Sequence, residues 1–420
     1  MANLLSGLAL RYRVLGAGRL LKPIQNVHGE GMQVIPDTGL TEDLHYYAPS
    51  GQLFGASEGD DTLRSAWFPP LLIWKDPTAV GRGTIVVIDV ETLRARRLLL
   101  RNFTGPFNTH GIDIISDPNE PDSIFIVAVN HLPNPAYYNS PRTSKDSSIP
   151  KARSRLEIFH HKLHSTEATH VRSIWHPLIR TPNDVLFKSL DEIYVTNDHH
   201  HREGPLRLLE EVSYGSVGQS TNLIHLQLTR PLSHVDDDTL GVTGSVANII
   251  DMNNGLGHGR TPDEIMVVRA SIGQLLLGHV DEVHPPRLKI IETIQLPSTL
   301  DNPSYFSDPY AEVTGRDASG YVLAGLARAI TFPLASEVIP VLVWLVQPNG
   351  AVGSDSWKGK KASEKWSTRL IFQDDGRMLR TASTAVLVAI GHGQNEGRKQ
   401  AYLFVTGPLA KGVVVTKVDL

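Results

Sequence analysis

Short apolar and β-branched runs recur along the whole chain, each closed by Gly, Pro, Asn or Asp. Residues 84–90 read TIVVIDV and residues 123–129 read SIFIVAV. Residues 156–160, 191–196, 264–268, 274–280 and 288–296 alternate or run apolar in the same way, as do 320–326, 338–346, 385–390, 401–406 and 412–418. A period of two bounded by turn residues predicts strands. No long segment keeps a 3.6-residue period with caps at both ends, so little helix is expected.

Many short strands with almost no helix lead to a sandwich, a barrel or a propeller. At 420 residues the chain is too long for one sandwich. A propeller of six blades would take about seventy residues per blade, with room for inserts. The expected fold is all-β and propeller-like, although no internal repeat of that period sets the blade count. Residues 1–35 form an N-terminal segment and residues 36–420 one propeller domain. Surface loop inserts are expected near 132–153, 229–243 and 347–365, where Pro, Ser, Gly and Lys accumulate.

Composition narrows the chemistry. The formal net charge is −4, which gives no general footprint for nucleic acid or anionic membrane. The chain has no cysteine, which removes disulfides, thiolate zinc and a cysteine nucleophile, and points to a cytoplasmic, reducing location. The apolar start at Leu4-Leu5 is too short to cross a bilayer; it is read as a packed segment or a weak membrane-surface helix. Gly55-Ala56-Ser57-Glu58-Gly59 matches the pattern of a hydrolase nucleophile elbow, but a turn rather than a helix is expected after it. Gly255, Gly257 and Gly259 are likewise read as a turn.

The polar candidates are short clusters beside strands: Glu42-Asp43, Asn183-Asp184, Asn254-Gly255, Asp301-Asn302, and the histidines His110 and His131. Each alone is an ordinary turn pair. Together they suit calcium, which takes six to eight oxygen ligands. Glu42 and Asp301 with the amide oxygens of Asn183, Asn254 and Asn302 would supply five oxygens and two negative charges. Asp43, Asp184 and a backbone carbonyl would make a second charge-balanced site. Simple strand alternation would send the neighbours in each pair to different ions. Within the Gly-rich run either Asn253 or Asn254 could be the ligand, and Asn254 is favoured.

Residues 181–199 (TPNDVLFKSLDEIYVTNDH) resemble the paraoxonase/arylesterase family, and more closely its fungal branch, related to gluconolactonase- and strictosidine-synthase-like propellers. So do His110-Gly111-Ile112, Val129-Asn130-His131, residues 300–309 (LDNPSYFSDP) and Thr41-Glu42-Asp43. The resemblance runs from about residue 39 to the C-terminus. It implies a six-bladed β-propeller with a central tunnel, its ring closed by the N- and C-terminal strands, and two calcium ions. A catalytic ion would be held by Glu42, Asn183, Asn254, Asp301 and Asn302. A structural ion would be held by Asp43, Asp184 and the main-chain oxygen of Ile112. It implies that His110 and His131 form a water-activating dyad, and that His199 lies near the pocket. The family's disulfide is missing here. So is a pocket histidine, whose stretch reads Ala324-Gly325-Leu326-Ala327-Arg328; Leu326 is taken as a wall residue.

The implied activity is calcium-dependent hydrolysis of a lactone or aryl ester, on a small apolar substrate. The alternatives are a biosynthetic dehydratase or cyclase on the same scaffold, such as a hetero-Diels–Alderase, and a propeller that only binds.

Overall fold

The computed structural model describes residues 2–20, 31–139, 149–212, 221–230, 232, 237–281, 283, 285–334, 338–350, 352, 357, 359–391 and 398–420. Its strands form six main antiparallel sheets, and the fold is a six-bladed β-propeller. The chain divides into two compact units of three blades. One holds residues 37–254 with 282–287; the other holds 1–36, 255–281 and 288–420.

In the first unit, blade one is Thr41–Tyr47, Gln52–Ser57, Thr84–Asp89 and Arg94–Arg97. Blade two is Thr109–Ser116, Ser123–Asn130, Arg155–Lys162 and Glu167–Ile174, with Leu99–Arg101 added in parallel at its edge. Blade three is Pro182–Phe187, Glu192–Asn197, Asn222–Leu228 and Val242–Ile249. Each sheet is apolar on both faces, because blades stack on one another. Val127, Val129, Ile158, Val185 and Val195 fill the space between blades two and three. Phe54, Ile85, Ile112, Ile126 and Phe159 fill that between blades one and two.

Blade four begins at the first strand Asn253–His258 and continues with Glu264–Arg269, Gln274–Asp281 and Arg287–Gln295. Blade five is Pro303–Phe306, Gly320–Leu326, Val341–Pro348 and Trp366–Asp374. Blade six is Thr384–Ala389, Gln400–Thr406 and Val414–Asp419, completed by the N-terminal Gln33–Val34. Gln33 pairs with Val415 and Val34 with Val414, so the two chain ends share a sheet as the sequence suggests, without a disulfide.

Three expectations change. Ala2–Val14 is a helix, although its sequence showed no amphipathic period. Val14 is fully buried and lies against Gly273, and Arg19 donates to the carbonyls of Ala327 and Pro297, both at 2.5 Å. Among the described residues no helix is long and apolar enough to cross a membrane. The glycine run at 255–259 enters a strand instead of a turn. A Cβ on Gly255 would come within 2.4 Å of the Asn302 Cα, so glycine serves close strand approach there. After Ser57, Asp60 caps a short helix, Asp61–Ala66. Ser57 is nevertheless no nucleophile: its buried Oγ donates to the Gly39 carbonyl at 2.7 Å.

Of the inserts, 132–153 contains the helical turn Pro135–Tyr138, with 140–148 outside the described residues. The stretch 229–243 ends in strand, and 347–365 runs from strand into the helical turn Ala362–Lys365; residues 231, 233–236, 351, 353–356 and 358 lie outside.

Phe103, Phe107 and Phe159 pack with ring centroids 5.4–5.6 Å apart at the base of blade two. Phe159→Ala should cost about 3–5 kcal/mol, because the fully buried ring leaves a cavity that strands on both sides cannot close. A denaturant melt checks this; a loss under about 1 kcal/mol would contradict the packing described.

Candidate functional site

Five of the candidate residues, Glu42, Asp43, His110, Asn183 and Asp184, sit at β-bulges on the first strands of three successive blades. In blade one the register passes from Thr41↔Ser57 to Leu44↔Gly55, so Glu42 and Asp43 together oppose Ala56. In blade two it passes from Asn130↔Thr109 to Ala128↔Ile112, and His110 and Gly111 oppose Val129. In blade three it passes from Pro182↔Asn197 to Val185↔Val195, and Asn183 and Asp184 oppose Thr196. The simple alternation expected for these pairs is therefore broken at each one; a two-against-one bulge re-aims the side chains. All of Glu42, Asp43, His110, Asn183 and Asp184 are buried.

Close approach of the first strands explains the glycine in His110-Gly111-Ile112. A Cβ on Gly111 would lie 2.4 Å from Asp184 Oδ1 and 2.6 Å from its Cα. Asp43 Oδ1 accepts from the Leu44 amide, and Asp184 Oδ1 from the Val185 amide, both at 2.8 Å. Asp43 Oδ2 also accepts from the Ile112 amide at 3.1 Å, which ties blade one to blade two. The structure thus brings Asp43, Ile112 and Asp184 to adjoining strand ends. It adds a residue the sequence did not single out: His45 Nε2 lies 3.0 Å from Asp43 Oδ2 and Nδ1 lies 3.5 Å from Asp113 Oδ1. Burial alone would lower the His45 pKa, but the Asp43 and Asp113 carboxylates raise it to about 9. An imidazolium there offsets part of the carboxylate charge.

His110 and His131 are also brought together. His110 Nδ1 and His131 Nε2 are 3.1 Å apart, and His131 Nδ1 is 2.9 Å from Ser154 Oγ. His110 Nε2 lies 3.9 Å from Glu42 Oε1. Phe68 stands edge-on to both rings, at 5.6 and 6.0 Å. Beneath Phe68 lies Arg64, its guanidinium 4.1 Å from the ring centre and 2.5 Å from Glu58 Oε2. Arg64 Nη2 donates to the carbonyls of Leu40 and Thr109, the residues leading into Glu42 and His110. Burial, then the Arg64 charge, lowers His110 to about 3; burial, then His110 and Arg64, holds His131 well below its ordinary value. Both rings are neutral at physiological pH. No motif in the sequence marked Arg64, Phe68 or Ser154.

Calcium fits the oxygen donors of this unit. The Oδ1 atoms of Asn183 and Asn254 are buried and have no hydrogen-bond partner among the described residues. A buried amide oxygen left without a donor costs free energy that a cation would recover. Asn253 Oδ1 is in the same condition, so both asparagines stand as candidate ligands. In the other unit, the Asn302 amide donates to Ser383 O at 2.9 Å and its Nδ2 to Thr384 Oγ1 at 3.0 Å, which leaves Oδ1 facing away from that bond. The Asp301 amide donates to Ala324 O at 3.0 Å. Leu326 packs on the core of blades five and six. His199 Nδ1 pairs with Asp198 at 2.9 Å, and the amides of His200 and His201 are held by Glu210.

No family model matches the chain. Bovine serum paraoxonase/arylesterase 2 is 26% identical over 248 residues, covering 58% of this chain and 56% of that protein. The dog protein of the same name is 24% identical over 309 residues, covering 72% and 71%. The chain is similar to the paraoxonase/arylesterases. It spans about half the length of the bovine relative. Among solved structures, a Xanthomonas campestris gluconolactonase aligns over 95% of both chains at 10% identity and TM-score 0.44. A regucalcin described as calcium-binding, from Agrobacterium tumefaciens, aligns over 92% of this chain and 94% of its own at 8% identity and TM-score 0.41.

Two outcomes follow from this geometry. Gly111→Ala should lower the melting temperature by several degrees, since its methyl meets backbone as well as a carboxylate; an unchanged melt would contradict the close approach. For His131 the folded pKa is depressed, so its stability contribution is complete above the ordinary histidine range and is lost as pH falls below about 6.5. His131→Gln should flatten the fall in melting temperature between pH 6.5 and 4. An identical pH profile would contradict a buried neutral ring.

Proposed function

We propose that this protein is a hydrolase of small lactones or aryl esters that binds calcium, with the His110–His131 pair as its proton-handling group. The observation that carries the reading is a buried, hydrogen-bonded histidine pair 3.9 Å from Glu42, in a unit that also holds amide oxygens with no protein donor among the described residues. The similarity to the serum paraoxonase/arylesterases supports it. Glu42, Asn183 and Asn254 would hold the catalytic calcium, with Asp301 and Asn302 assigned to it by the sequence resemblance. Asp43, Asp184 and the Ile112 carbonyl would hold a structural one. When bound, calcium supplies a Lewis acid that polarises an ester carbonyl and stabilises the oxyanion.

The chain's own residues do the rest. In one tautomer His110 Nδ1–H donates to His131 Nε2, and His131 Nδ1–H donates to Ser154 Oγ. His110 Nε2 then carries a lone pair and can take a proton from water, while His131 steadies the ring as it becomes charged. Phe68 and Arg64 lock both rings in place. No covalent intermediate is required.

The strongly lowered basicity of His110 favours a second reading. A weak base suits a pair that only donates and accepts hydrogen bonds, as in a dehydration or cyclisation. Turnover of a lactone and aryl-ester panel in ¹⁸O-labelled water separates the two. Hydrolysis puts label in the product acid, and His131→Gln should lower kcat by about 10²–10⁴-fold. Glu42→Gln should abolish most activity with the fold intact. Product without label, or full activity in Glu42→Gln, would contradict the hydrolase reading.

A further inference from the structure

Beside the dyad lies a small pocket, partly open to solvent, whose wall includes His131 and Ser154. Trp74 and the prolines Pro69, Pro70 and Pro182 are among its lining residues. Arg180, Arg202 and Arg207 also line it, with Asp198 as the acid among the lining residues. Three guanidiniums against one carboxylate make this a positive pocket in a chain of net charge −4. Asp198 is already engaged by His199.

The arginines are built in. Arg202 Nε and Nη2 donate to the carbonyls of Arg180 and Ile179, at 2.9 and 3.3 Å. That fixes Arg202 to the segment leading into Asn183. Arg207, on the helix Pro205–Val212, is only 2% exposed, and its Nη2 donates to Pro70 O at 3.3 Å. The Arg180 guanidinium has no hydrogen-bond or ion-pair partner among the described residues. Burial, then Arg180 as a like-charged neighbour, lowers Arg202 to about 10 against the opposing charge of Glu203, so Arg180 and Arg202 are held near one another at an electrostatic cost that Glu203 only partly offsets. An anion between them would relieve that cost, and guanidiniums match a carboxylate in geometry as well as charge.

We propose that this pocket binds a carboxylate carried by the substrate, apart from the bond that reacts, so that the substrate is a small anionic ester or lactone with an apolar body. This replaces the apolar substrate expected from the sequence, and it rests on the hydrolase reading for the word substrate, though not for binding. The carboxylate docks on Arg180 and Arg202, the body lies against Trp74, and the reacting carbonyl is directed to the His131 side of the cavity.

Isothermal titration with benzoate, and with benzamide as its neutral counterpart, tests the pocket without requiring turnover. Benzoate should bind at least about tenfold more tightly than benzamide. Arg180→Gln should remove most of that preference and Arg180→Lys should keep part of it, with thermal melts confirming that both variants fold. Equal binding of the two ligands, or undiminished benzoate binding in a folded Arg180→Gln, overturns the proposal. Kinetics with 4-acetoxybenzoate and its methyl ester then test the link to catalysis. The acid should be preferred in kcat/KM through a lower KM, and Arg180→Gln should bring the ratio towards one. If neither ester is hydrolysed while benzoate still binds selectively, the hydrolase reading fails and the anion site stands.

Discussion

Oxygen-bearing side chains are expensive to take out of water, and this chain buries them at the ends of its first strands. Glu42 and Asp43 sit at the start of blade one, Asn183 and Asp184 at the start of blade three, each pair opposite a single residue of the next strand. Desolvation there is met in two ways. Asp43 and Asp184 collect main-chain amides and, for Asp43, the His45 ring. The amide oxygens of Asn183 and Asn254 find no donor in the described protein. Cation binding there is the proposed completion of what the hydrogen bonds leave undone.

Charge is distributed in layers around that centre. Carboxylates and amide oxygens cluster at the bulges. The neutral histidine pair comes next, held by Phe68 over the Arg64–Glu58 ion pair. Arg64 also bonds the two carbonyls that precede Glu42 and His110, so one buried guanidinium fixes the entry of both strands. Beyond His131 the sign reverses, and three arginines line the adjoining cavity. A substrate anion drawn to that positive end would be oriented before its carbonyl reaches the dyad.

The alternation of apolar residues was enough to read an all-β, propeller-like class and most of the middle strands, because those strands are buried and use Val, Ile and Leu throughout, while the count of six blades came from the family resemblance. First strands such as Thr109–Ser116 and Pro182–Phe187 were harder to see, since the site residues interrupt their pattern. The site clusters could be named from their resemblance to a family. The bulges that aim them could not, because a bulge depends on the register of a partner strand and leaves no mark in the local sequence. Glycine was the one partial signal: Gly111 and Gly255 each sit where a neighbouring strand leaves no space for a Cβ. The arginine pocket was invisible for another reason. Arg180, Arg202 and Arg207 lie in a strand approach, a loop and a short helix, and only the turn of the chain around His199 gathers them. The N-terminal helix was read only as one of two alternatives for an apolar start, because the segment shows no amphipathic period.

The central claim is that a cation completes the buried oxygen cluster. Thermal melting of the full chain after exhaustive chelation, repeated with increasing calcium and paired with elemental analysis, tests it directly. The account predicts a lower melting temperature in chelator and a saturable rise with calcium, worth about 2.7 kcal/mol at a hundred times Kd for a single site. A melting temperature that is the same in chelator and in calcium, with no calcium in the purified protein, would contradict it.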